Sequence, residues 1–110
     1  MAVKIHGREY STVAERVQAA HTAGGFSVLA TDVLPLGDTG RFYVKVQLQF
    51  NGRRFIGLSE VPLNGKAGTP EATAPLEVAE TSALGRALAF AGFGVDGSIA
   101  SADEMRKVSA

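Results

Sequence analysis

An α+β fold, with an N-terminal helix, a three-stranded antiparallel meander sheet and a C-terminal helix packed on one face of that sheet, is predicted from three observations. Residues 41–50, "RFYVKVQLQF", alternate apolar and polar side chains and run into Asn51-Gly52, a pair suited to the positive φ angles of a two-residue hairpin turn. Helical patterns stand before and after the strand region, each with its own start signal. Alternating β-α-β units, the mark of a parallel doubly wound sheet, do not occur. At 110 residues the chain is one domain, read as a single α+β core over 1–97 and a short C-terminal helix or tail over 98–110.

The elements follow in order. "AVKIHG" reads as a short edge strand. Thr12 and Glu15 form a T-x-x-E capping box, in which each side chain satisfies the other residue's free backbone N–H. Val13, Val17 and Ala20 then follow at helical spacing, with Glu15, Arg16 and Gln18 expected towards water, until Gly24-Gly25 ends the helix. "FSVLATDVLPL" is a strand that stops at Pro35 and the "GDTG" turn. In the next strand Phe42, Val44, Val46, Leu48 and Phe50 point one way, and Arg41, Tyr43, Lys45, Gln47 and Gln49 the other. "RRFIGLSEV" returns antiparallel to it, with Arg54 opposite Gln49 and Leu58 opposite Lys45. "LNGKAGTPEATAP" is a surface loop. Pro75 suits the first turn of a helix that runs to Gly92, and Ser101 with Glu104 forms a second capping box.

Composition narrows the function classes. No cysteine is present, which removes disulfides, thiolate metal sites and cysteine nucleophiles together. No apolar run approaches the roughly 20 residues that span a bilayer, and the N-terminus lacks the apolar centre of a secretory signal, so a cytosolic location is expected. Eleven basic and eleven acidic residues balance, which counts against a dedicated nucleic-acid binder. The charges cluster, however: Arg41, Lys45, Arg53, Arg54 and Lys66 share a stretch whose only acid is Glu60.

Motifs of catalysis are missing. Gly92, Gly94 and Gly97 have the G-x-G-x-x-G spacing, but they follow a helix. A dinucleotide loop must precede one, because the helix N-terminus receives the pyrophosphate; here a phosphate would meet the negative dipole end. The glycines read as a helix stop. "NGKAGT" fails as a P-loop, since Glu60 stands where the first glycine belongs and Ala67 follows Lys66. His6 and His21 read as surface residues, and no G-x-S-x-G elbow accompanies the serines. The chain is expected not to be an enzyme.

The helix from Pro75 is unusual. Apolar side chains, many of them alanine, surround most of it, so burial on more than one side is expected. Ala83, Gly85, Ala87, Ala89 and Ala91 would let another backbone come close. Arg86 stands among them and needs an anion, either a carboxylate of this protein or a phosphate from outside.

At this helix "AETSALGRALAFAGFG" resembles the motif A-E-T-[SG]-A-[IL]-G-R-A-L-A…G-[FY]-G of small phage and bacterial proteins in the Rad-fifty-two-like single-strand annealing superfamily. "EYSTVAERVQAAH" and the glycine-bearing arm "RRFIGLSEV" are similar in layout, and the resemblance covers roughly residues 8 to 97. It implies single-stranded DNA binding and ATP-independent annealing of complementary strands in recombination or repair. It also implies a homo-oligomeric ring or arc, no metal or nucleotide cofactor, and room for a nuclease or polymerase partner. The family's basic helix position carries over to Arg86. Better-known eukaryotic relatives place more basic residues on this helix, where Gly85 and Ala89 stand here. The hairpin must then supply the charge, through Lys45 and Arg54 beside Tyr43, Gln47 and Gln49 on one face, Arg53 at the tip, and Arg41 and Lys66 nearby. Ile56 and Leu58 interrupt that polar face, as if a neighbouring subunit covered part of it. The alternative is an oligomeric protein-interaction module of the same fold that does not bind DNA.

Overall fold

The computed structural model describes residues 3–5, 8–94, 101, 102 and 104. A small hairpin leads, made of β1 (Val3–Ile5) and β2 (Arg8–Tyr10), so the predicted edge strand has a partner that the sequence pattern does not announce. Helix α1 (Val13–Ala23) starts at the expected box: Glu15 N–H donates to Thr12 Oγ1 at 3.1 Å and Thr12 N–H to Glu15 Oε1 at 2.9 Å. It ends at Gly24, whose φ of 71° is open to glycine and whose N–H donates to the Ala20 carbonyl.

Strands β3 (Phe26–Pro35), β4 (Phe42–Phe50) and β5 (Arg53–Glu60) form the antiparallel meander in the order β3-β4-β5. Asn51 and Gly52 both hold positive φ, at 53° and 74°, which is what the two-residue turn requires. The register pairs Gln49 with Arg54, Gln47 with Ile56 and Lys45 with Leu58. A bulge between Val28 and Ala30 shifts the β3 register by one residue and leaves Leu29 exposed. The loop that follows β5 is not wholly irregular, because Pro70–Thr73 makes one short turn of helix, α2. Proline at its first position costs no hydrogen bond there.

Helix α3 (Pro75–Phe90) lies over β5 and β4, and α1 packs against α3. Two glycines set this arrangement. A Cβ on Gly57 would come within 1.9 Å of the Ala83 carbonyl oxygen and 2.6 Å of the Ala87 nitrogen, so the α3 backbone rests directly on β5. On the other side of the helix, a Cβ on Gly85 would meet Val13 Cγ2 at 2.6 Å. Ala79, Ala83, Ala87 and Leu88 are buried together with Val44, Val46 and Leu48, and Ala20 and Phe93 close the same core. Each fully buried Val or Leu stabilises by about 1.5–3 kcal/mol relative to exposure.

The helix stop follows from its hydrogen bonds. Phe93 N–H donates to Leu88 O and Gly92 N–H to Ala89 O, the paired bonds of a Schellman motif with Gly92 at φ 99°. Phe93 then turns into the core and packs edge-on to Phe50. Gly92 and Gly94 therefore sit at a helix C-terminus, as their sequence context requires; Gly97 lies outside the described residues. Among the described residues no helix is long and apolar enough to cross a membrane.

Candidate functional site

Alternation along β4 gives the sheet two faces. Val44, Val46 and Leu48 are at most 1 % exposed beneath α3. Tyr43, Lys45, Gln47 and Gln49 project from the other face, on which no described element packs broadly. Their cross-strand neighbours complete four rows: Leu34–Tyr43–Glu60, Asp32–Lys45–Leu58, Ala30–Gln47–Ile56 and Ser27–Gln49–Arg54. The amides and the tyrosine are half-buried by these neighbours, while Arg54 is exposed at the hairpin end. Arg53, opposite Phe50, emerges on the helix-bearing side of the tip and is also exposed.

The seven predicted contact residues are not one continuous patch. Tyr43, Lys45 and Arg54 share the open face, and Arg53 adjoins it at the tip. Lys66 stands in the loop after β5. Lys45, Arg53, Arg54 and Lys66 make no ion pair among the described residues. Arg41 is different: its Nη2 lies 2.7 Å from Glu60 Oε2, across the end of the hairpin. The open face also carries Asp32 directly beside Lys45 in the β3–β4 register.

Arg86 has found a carboxylate within the chain. Its Nη1 lies 3.3 Å from Glu104 Oε2, and its side chain keeps 36 % exposure. Of the two anions that could answer it, the carboxylate is therefore in place. Glu104 serves twice, because its Oε1 accepts the Ser101 N–H at 3.4 Å while Ser101 Oγ accepts the Glu104 N–H at 3.3 Å, the predicted capping box. Ala102 and Glu104 are helical, and the remainder of the helix expected there falls outside the described residues. Arg86 opens into a cleft of about 460 Å³ at the free edge of β5, lined by Ile56, Leu58, Ser59, Glu60 and Phe90.

The buried arginine is another one. Arg16, expected towards water, is 0 % exposed. Its Nη1 donates to the Gly85 carbonyl at 3.0 Å and its Nε to Ser11 Oγ at 2.8 Å. Ser11 Oγ in turn donates to Gly94 O. This guanidinium is a structural tie between α1 and α3. A guanidinium reads as solvent-facing by composition; only the pairing of α1 with Gly85 reveals its burial.

Ile56 and Leu58 keep 44 % and 50 % exposure within the chain. Phe90 at 48 % extends the same apolar edge, and Val28 and Val33, both 49 % exposed, form another on β3. Of the histidines, His21 is exposed and stands edge-on to Phe26, while His6 lies outside the described residues. No protein-family model, no curated protein and no solved structure matches this chain.

Proposed function

We propose that the chain is a homo-oligomeric single-stranded DNA binder that anneals complementary strands without nucleotide hydrolysis, in recombination or repair. The observation that carries this reading is the open sheet face, where Lys45 and Arg54, neither of them ion-paired among the described residues, stand with Tyr43, Gln47 and Gln49, and Arg53 stands at the adjoining tip. Cations track a phosphate backbone, amide N–H groups donate to its oxygens, and a tyrosine ring offers a stacking surface. One hairpin supplies few cations to the phosphates, so useful affinity needs several copies in a row. Apolar side chains at both sheet edges, Val28 and Val33 on β3 and Ile56 and Leu58 on β5, support such assembly. A cytosolic setting belongs to the same proposal.

The test is binding of oligothymidine by fluorescence anisotropy over a salt series, with annealing followed in the absence of ATP. Lys45→Glu with Arg54→Glu is expected to weaken binding at least tenfold at low salt, with the salt slope falling by about 0.7 for each phosphate no longer neutralised. Unchanged affinity in that variant would move the interface elsewhere. A second reading, an oligomeric protein-interaction module that binds no DNA, is favoured by a specific observation: Arg41 and Arg86 are each held by a carboxylate of the chain. Stable oligomers with no oligothymidine affinity at low salt would establish it.

A further inference from the structure

We propose that Glu104 is a displaceable latch on Arg86, occupying the guanidinium until a nucleic-acid phosphate takes its place; this rests on the DNA-binding reading above. A carboxylate and a phosphate present the same feature to a guanidinium, anionic oxygens that accept its N–H groups. Glu104 reaches Arg86 with one oxygen at 3.3 Å, longer than the roughly 2.7–2.9 Å of a strong charge-assisted bond. The Arg41–Glu60 pair, at 2.7 Å, shows the tighter approach this same chain can make. The Arg86 pair is also partly open, with the arginine side chain 36 % and the glutamate 22 % exposed on the cleft beside β5. Partly exposed pairs of this kind add little to stability, so a competing anion need displace only a weak interaction.

The fold nonetheless holds the latch in place. Ala102 N–H donates to the Ser11 carbonyl at 2.9 Å, and Ser101 and Ala102 are both fully buried. The capping box then fixes the Glu104 carboxylate by its other oxygen. The segment is anchored upstream of Glu104, and the carboxylate can release Arg86 without the anchor coming loose. Ile56 and Leu58, on the open face, line the Arg86 cleft and share that face with the hairpin cations, so release would add Arg86 to the path already begun by Lys45 and Arg54.

Glu104→Gln isolates the charge, because glutamine also serves at this position of a capping box. In oligothymidine titrations this variant is expected to bind about two- to fivefold tighter than the wild type, with a salt slope steeper by about 0.7, one further phosphate neutralised. The same charge change at Glu80→Gln, an exposed position on α3, is expected to produce no comparable gain. In an Arg86→Ala background Glu104→Gln is expected to produce none. Wild-type affinity and slope in Glu104→Gln, or an equal gain without Arg86, would overturn the latch while leaving the DNA-binding reading in place. Failure of both wild type and Glu104→Gln to bind at low salt would remove the reading and the latch together.

Discussion

The two faces of the three-stranded sheet arise from one alternating strand and end in opposite conditions. Beneath α3, Val44, Val46 and Leu48 are sealed, and the helix backbone lies against Gly57. On the other face Tyr43, Lys45, Gln47 and Gln49 are only half-covered by neighbours on β3 and β5, and Ile56 and Leu58 remain about half exposed. The difference teaches that alternation decides which side chains share a face, while a single backbone approach decides which face is closed. Gly57 opposes Val46 in the register and leaves room for a helix on its side. Its neighbours Ile56 and Leu58 point the other way and present bulk instead.

Substitutions can break this contrast. Gly57→Val is expected to have the largest effect, about 3 kcal/mol or more of lost stability in chemical unfolding, because its side chain would collide with helix backbone that cannot rotate aside. An unchanged midpoint would mean that α3 does not seat on β5. Arg16→Met comes next. It keeps much of the aliphatic stem but leaves the Gly85 carbonyl without its donor, for an expected loss of about 2 kcal/mol, read in the same unfolding experiment. A neutral outcome would show that water replaces the guanidinium at that carbonyl. The smallest stability effect belongs to the open face. Ile56→Ser with Leu58→Ser is expected to stay within about 0.5 kcal/mol of wild type, as exposed positions do. Under the proposed assembly the same pair is expected to lower the mass in solution measured by light scattering. An unaltered mass would place any interface between copies at another surface.

The proposed interface sharpens the contrast further. Of the predicted contact residues, Lys45, Arg53, Arg54 and Lys66 have no ion pair among the described residues and lie on the hairpin and the loop after it, whereas Arg86 on the helix motif already has Glu104. The hairpin rows were legible because register follows from a two-residue turn: once Asn51-Gly52 is the turn, Arg54 must face Gln49 and Leu58 must face Lys45. The β1–β2 hairpin was only half legible, since two three-residue strands carry too short a pattern to read as a pair. The short helix α2 was illegible for the same reason, being one turn long.

What the sequence determined by itself was local: the α1 capping box, the glycine stops, the alternation of β4, its turn and the start of α3 at Pro75 are all set by residues within a few positions of one another. The fates of the two arginines were decided by tertiary structure alone. Arg16 is buried because Gly85, 69 residues away, turns its carbonyl towards it, and Arg86 is matched because Glu104 arrives 18 residues later. Charge and spacing say that a guanidinium needs a partner; only the packed chain brings one to it, because pairing depends on which distant segments meet and helical period does not carry that information.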